Sequence, residues 1–414
     1  MIALKQPALC AGFVSLLLLL FTAIGNCAAP GRVATDAGER GTSAGHLTVR
    51  GLTPFFRKLR AREKGADVLI RVLFFGDSII SGDNLTSQLR EKFQARFGDG
   101  GAGIVPLVSR KYNRLRNSVN LTRGGFRLLA IPFGGLGMPD YPHHGFTGRS
   151  YIVQGWGAAV QRAATPPGRV RLILRGPAGG SATRVELRSG GATDVRRVEL
   201  EPGECKVTEL ANQGSATVRV GFRNLRGRPF LDAMVLENDS GVALSTIVNL
   251  GLHQAWMQGV VSPNFECGFR AFAPDLLVFQ SGINEAATMR NPRVNYTMSM
   301  YGPQLEGYYA KLAAALPDVP VLVIGPPERM IRGPRGWMVQ PEVAPVARAQ
   351  AEIAARRGQS FFDTHAALGG EGQMLRMMRT GLAHGDGTHI TFRGGSELAE
   401  RIFADLMRAY EDSR

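Results

Sequence analysis

Cysteine is scarce in this chain of 414 residues, with four in all, at positions 10, 27, 205 and 267. Two of them lie in or beside the N-terminal apolar segment, so the body holds only Cys205 and Cys267. A single bridge between these two and a pair of buried thiols both remain open, because sequence does not bring two Cα atoms within bridging range. A second long apolar run is also missing, which excludes further membrane spans after the N-terminus. No dense basic tract with interleaved aromatics occurs, which argues against a nucleic-acid groove. No internal repeat stands out, so a repeat array is not expected.

What is present describes an ordinary globular protein, with 44% hydrophobic and 20% charged residues. The length suits one large domain or two of medium size. Lys5 precedes an apolar stretch from Ala8 to Ile24, and Gly25, Cys27, Ala28 and Ala29 follow. A charged, apolar, small-residue order of this kind is that of a secretory signal peptide over residues 1–29, and it implies export to the periplasm or cell envelope. A retained anchor is the alternative. A lipoprotein site at Cys27 ranks below simple cleavage, since Asn26 suits that position poorly. The net charge of +15 would favour an anionic polymer. Arginine spread over many solvated faces is the simpler reading of the same number.

Residues 30–46 read as a flexible linker. An α/β segment follows over 47–133, with helical spacing at Leu52, Phe55, Phe56 and Leu59. The buried run Val72 to Phe75 ends in Gly76-Asp77-Ser78. Leu85, Leu89, Phe93 and Phe97 then fall four apart, with Asp83 and Asn84 as candidate caps and Gly98 as the stop. Over 134–238 short alternating strands with turn signals replace this pattern: Arg169 to Leu174, Thr183 to Leu187, Arg196 to Leu200 and Ala216 to Phe222. They predict an inserted all-β sandwich. From 239 to 414 strands at Thr246 to Leu250, Leu276 to Phe279, Val319 to Ile324 and Phe361 to Phe362 reappear. Helices over Gln304 to Ala315, Val343 to Arg357 and Gly394 to Tyr410 go with them. The expected fold class is therefore α/β, a three-layer doubly wound, mostly parallel sheet with an all-β insertion.

Four places after predicted strands carry chemistry, where open α/β sheets gather their functional groups. Ser78 sits on a tight turn near a helix N-terminus. Gly251 ends a strand and allows close approach of the backbone to a ligand. Asn284, in Gly282-Ile283-Asn284-Glu285, has a side-chain amide able to donate to an oxyanion. Asp386 and His389 lie three apart before the last helix, a spacing at which a carboxylate can orient an imidazole. Each has a bland alternative as a turn, strand end or cap; their common placement does not.

These four blocks, in this order, resemble the signature blocks of SGNH/GDSL hydrolases. The resemblance implies Ser78 as nucleophile, His389 as general base and Asp386 as its orienter. It implies an oxyanion hole from Gly251, Asn284 and the Ser78 N–H, and it calls for no metal or other cofactor. A narrower similarity, to bacterial exported peptidoglycan O-acetylesterases, lies in Phe75 to Val105 with its Phe97-Gly98-Asp99-Gly100-Gly101 turn, in the β insertion, and in Leu231 to Ala255. It implies removal of O-acetyl groups from an acylated polysaccharide, peptidoglycan foremost, with no nucleic-acid partner. The chain departs from that pattern at Ile79, where relatives commonly carry histidine, and at His253-Gln254, which replaces an Asn-Gly pair. Asp77, His253, Trp256 and Glu285 are expected to touch substrate, and Trp156 and Trp337 are candidate sugar platforms. An acyltransferase with the same triad passes through the same acyl-enzyme. A metal-dependent deacetylase would instead use His384, Asp386 and His389, with His143-His144 or Glu285 completing the shell. Asp83 is expected to cap its helix, and His365 to be structural.

Overall fold

The computed structural model describes residues 42–131, 141–251 and 253–413. The expected signal peptide lies outside them, as does most of the expected linker. Among the described residues no helix is long and apolar enough to cross a membrane.

Seven strands form the central sheet: β1 (Thr42–Ala44), β2 (Leu47–Val49), β3 (Leu69–Gly76), β4 (Gly241–Val248), β5 (Leu276–Gln280), β6 (Val321–Ile324) and β7 (Ser360–Phe362). Their spatial order is β1-β2-β7-β6-β5-β3-β4. The five strands from β7 to β4 run parallel, and the β1–β2 hairpin adds an antiparallel edge. β4, β5 and β6 are buried along their whole length. Runs such as Leu-Leu-Val-Phe-Gln in β5 have no polar face, so helices must cover both sides of the sheet. Two groups of helices, each packed within itself, supply that cover: Thr53–Glu63, Phe392–Asp412 and Thr86–Phe97, and then Ser262–Phe272, Met298–Ala315 and Val343–Arg356. The strand order reverses between β3 and β5, and such a switch point opens a crevice at the carboxyl ends of the strands.

The expected linker extends too far. Residues 42–49 form the hairpin, with Gly45 at φ 63° in its turn and Leu47 fully buried. His46 N–H donates to Asp405 Oδ2 of the last helix at 2.8 Å. Strands of three residues are too short for periodicity to reveal.

Residues 103–237 build two antiparallel sheets, one of five strands and one of six. They begin earlier than residue 134: Gly103–Val105, Ser118–Asn120 and Phe126–Ala130 already belong to them. Val185, Val220 and Phe222 of the first sheet and Leu172, Leu174 and Leu231 of the second share one apolar cluster, separate from that of the α/β part. Gly103 docks this region on β4. Its backbone lies so close that a Cβ there would meet Ser245 Oγ at 2.4 Å, and Ile104 N–H donates to that same oxygen at 2.9 Å. Cys205 and Cys267 form a disulfide, their Cα atoms 5.8 Å apart. It joins an edge strand of the six-stranded sheet (Cys205–Ala211) to the helix Ser262–Phe272.

Asp83 is not a helix cap. The helix Thr86–Phe97 begins after Leu85 with no side-chain cap. Asp83, fully buried at φ 61°, instead takes two hydrogen bonds from the buried Arg90 guanidinium, at 2.9 and 3.1 Å. Arg90 also donates to Leu244 O and Thr246 Oγ1 of β4, and Arg116 N–H donates to Asp83. An aspartate before a helix signals a cap, and only the arginine seven residues on, facing the same interior, redirects it.

Two outcomes follow from these contacts. Asp83→Ala leaves Arg90 as an uncompensated buried charge and should cost about 3–5 kcal/mol in denaturant unfolding; Arg90→Met, which removes the other partner, should cost a similar amount. Cys205→Ser with Cys267→Ser opens a closure of 62 residues. The chain-entropy argument puts that loss at about 4 kcal/mol, to be read as a lower thermal midpoint than the oxidised parent.

Candidate active site

β3 ends at Gly76, where a Cβ would stand 2.5 Å from Ile80 Cδ1 and would have to displace that side chain. Asp77 follows, and its Oδ1 accepts from Ile79 N–H at 2.8 Å, closing the turn that presents Ser78. Register sets the neighbours. Val248 of β4 and Gln280 of β5 both pair with Gly76, so the loops after all three strands leave the sheet at one level. Gly251, at φ 64°, lies on the loop after β4. Asn284 lies on the loop and helix after β5, with Nδ2 donating to Asp77 Oδ2 at 3.4 Å.

From far along the chain, His389 completes the cluster. Its Nε2 stands 2.8 Å from Ser78 Oγ, and its Nδ1 stands 2.7 Å from Asp386 Oδ2. Asp386 Oδ1 accepts from the N–H groups of Thr388 and His389, at 2.9 and 3.0 Å. Partial burial opposes the charge of Asp386, but these bonds outweigh it and hold the carboxyl below its ordinary value. A carboxylate, an imidazole and a hydroxyl in sequence can pass the hydroxyl proton to the ring while the carboxylate stabilises the charge that results. Both ring nitrogens of His389 are engaged in this arrangement, so the alternative metal set of His384, Asp386 and His389 would have to break it. Among the described residues no group of three or more His, Cys, Asp or Glu side chains is placed to hold a metal ion.

The four residues expected to touch substrate are all buried. Asp77 is 1% exposed, His253 2%, Trp256 3% and Glu285 0%. Lying next to a functional turn in sequence placed them near the site without saying which way they face. Trp256 stacks on His253, ring centres 4.3 Å apart, and so offers no platform to a sugar. His253 Nε2 meets Thr288 Oγ1 at 3.0 Å, and burial lowers its pKa to about 4, which leaves it neutral at physiological pH. Glu285 accepts from Gln254 N–H and from Gly282 N–H, both at 3.0 Å, and thereby ties the loop after β4 to the loop after β5. Burial raises Glu285 to about 7 and Asp77 to about 6. Ile79, which stands where the resemblance leads one to expect histidine, is buried too.

A hairpin of the strands Met330–Gly333 and Gly336–Val339 was missed in the sequence, although Gly333-Pro334-Arg335-Gly336 carries a turn signal. It buttresses the Asp386–His389 turn. Met330 N–H donates to Gly387 O at 2.7 Å, and Arg329 Nε donates to Thr388 Oγ1 at 3.2 Å. Trp337 is half-buried beside Gly387, with the Arg332 guanidinium 3.9 Å above its ring. His365, half-exposed, stands beside Glu328 at 3.3 Å.

The fold that carries this site has a counterpart among solved structures. Among solved structures the chain is similar to one described as a peptidoglycan O-acetylesterase in action, with a TM-score of 0.73, 22% identity, and coverage of 89% of this chain and 100% of that one. It is also similar to a GDSL-like lipase from Bacteroides thetaiotaomicron (TM-score 0.30, 17% identity, 42% of this chain and 77% of that chain). An acetyl xylan esterase variant from Geobacillus stearothermophilus has a TM-score of 0.32 and 16% identity, over 40% of this chain and 73% of that chain. No family model and no curated protein matches the chain.

The raised carboxyls give a pH signature. The folded protein keeps protons on Glu285 and Asp77 that the unfolded chain has released, so stability is lost as pH rises from the ordinary carboxyl range through about 7. The thermal midpoint should fall between pH 5 and pH 8 in the parent, and fall less steeply in Glu285→Gln.

Proposed function

We propose that this chain is an exported serine esterase that removes O-acetyl groups from a cell-wall polysaccharide, peptidoglycan foremost, through an acyl-enzyme on Ser78. The observation that carries the reading is the Asp386–His389–Ser78 relay, with spacings of 2.7 and 2.8 Å. The full-length likeness to a peptidoglycan O-acetylesterase supports the choice of polymer. In this reading the two antiparallel sheets form an inserted sandwich that docks the polymer, and residues 1–29 direct export.

His389 Nε2 takes the Ser78 proton as Oγ attacks the ester carbonyl. The carbonyl π electrons move to oxygen, and the oxyanion is held by the N–H groups of Ser78 and Gly251 and by the Asn284 amide. Collapse breaks the bond to the sugar oxygen, which receives the proton from His389 and departs as an alcohol. Water, deprotonated by His389, then attacks the acyl carbon, and acetate leaves as Ser78 regains its proton. Asp386 stays ionised throughout and holds the imidazolium. Asp77 and Glu285, buried beneath, fix the loops that carry the donors.

Ser78→Ala should lose roughly 10⁴-fold or more in turnover of p-nitrophenyl acetate, and in acetate release from O-acetylated peptidoglycan, with its thermal midpoint unchanged. Near-normal acetate release from that variant would overturn the assignment. Release from acetylated xylan in preference to peptidoglycan would move the substrate and leave the mechanism standing.

A further inference from the structure

The five-stranded antiparallel sheet has one face in the shared apolar cluster and one face open. Along Thr217–Arg226, Val218, Val220 and Phe222 point inward, while Arg219 and Arg223 are exposed. Register lines the open face up in rows across three strands. Arg184 pairs with Arg223, which pairs with Trp156. Glu186 pairs with Gly221, which pairs with Ala158. Arg188 pairs with Arg219, which pairs with Val160. The middle row carries a glycine and an alanine, so a trough runs between two taller rows. Two shallow hollows of about 390 and 650 Å³ lie here, and they share Trp156, Ala158 and Arg219.

Two features of this face work against stability. Trp156 leaves 74% of its surface in water, the most exposed large apolar residue among those described. Arginines stand directly opposite one another in two rows, an arrangement that costs energy in a sheet. Glu186 is shared by Arg184 and Arg188 at 3.2 and 2.5 Å, and their proximity lowers its pKa. Among the described residues neither Arg219 nor Arg223 forms a salt bridge. Four guanidinium groups around one carboxylate leave a strong positive excess beside an open indole ring.

We infer that this face binds a glycan strand bearing carboxylates, with Trp156 stacked on a sugar ring and Arg219 and Arg223 paired with the acidic groups. Guanidinium forks match carboxylate geometry, and an indole face offers a flat apolar surface to a pyranose. The inference deepens the esterase reading and rests on it for the class of polymer. From this sheet the chain also leads back to the reaction centre. Its edge strand Ser118–Asn120 follows Arg116, whose N–H donates to Asp83 in the turn that begins at Ser78.

The test is binding of the full chain, in a Ser78→Ala background, to insoluble peptidoglycan sacculi and to the same sacculi with their carboxyls converted to amides. Trp156→Ala and the pair Arg219→Ala with Arg223→Ala should each weaken sacculus binding roughly tenfold or more. The parent should bind amidated sacculi as weakly as these variants do, and binding should fall as salt rises. With Ser78 restored, the same variants should hydrolyse p-nitrophenyl acetate at the parental rate. That assay tests the esterase reading separately. Undiminished binding by both variants, equal binding to amidated sacculi, or a parent that prefers duplex DNA to sacculi would overturn the inference.

Discussion

The pairing of β3 with β4 on one side and β5 on the other is the constraint on which the site depends. Because both partners meet Gly76 at the same register position, three loops emerge side by side although the second and third follow the first by some 170 and 200 positions. A slip of one residue on either side would reverse which side chains face the helices, and fully buried strands do not tolerate that. The buried Asp83–Arg90 pair extends this control outward. It fastens the end of the serine turn to Leu244 and Thr246 in the body of β4. The position of a single hydroxyl is thereby fixed from both ends of its turn.

Beneath the relay lies a layer almost wholly removed from solvent. Asp77, Glu285, His253 and Trp256 fill it, and each holds a loop in place by a hydrogen bond or a stacked ring. His389 and Asp386 sit above, with side chains 39% and 49% exposed, and a separate hairpin steadies them. The lower layer is buried and cross-linked by hydrogen bonds. The upper one is open to solvent.

Most of the central sheet was legible in the sequence because its strands are largely apolar runs, some ended by glycine, as in Val72 to Gly76 and Val321 to Ile324. The relay of Ser78, Asp386 and His389 was legible for a different reason: these residues stand in the order of the signature blocks the chain resembles, Ser78 just after a strand and Asp386 and His389 on the turn before the last helix. What escaped was whatever depended on a distant partner. The strand Leu47–Val49 exists because β7 offers it an edge, and Asp83 abandons its helix because Arg90 is nearer to it in space. Orientation escaped as well. His253 and Trp256 sit beside an oxyanion candidate in the chain, yet both turn inward, since each provides the other with a ring to pack on.

The bond between Cys205 and Cys267 joins covalently two parts of the chain that otherwise meet through packing, hydrogen bonds such as Ile104 N–H to Ser245 Oγ, and the Arg71–Glu237 ion pair. Any peptide bond cut between those two positions would leave the fragments tethered, so one clip in the exposed turns there could not release the antiparallel sheets from the α/β part. A staple at that junction confers tolerance to proteolytic damage that thermal stability alone would not provide.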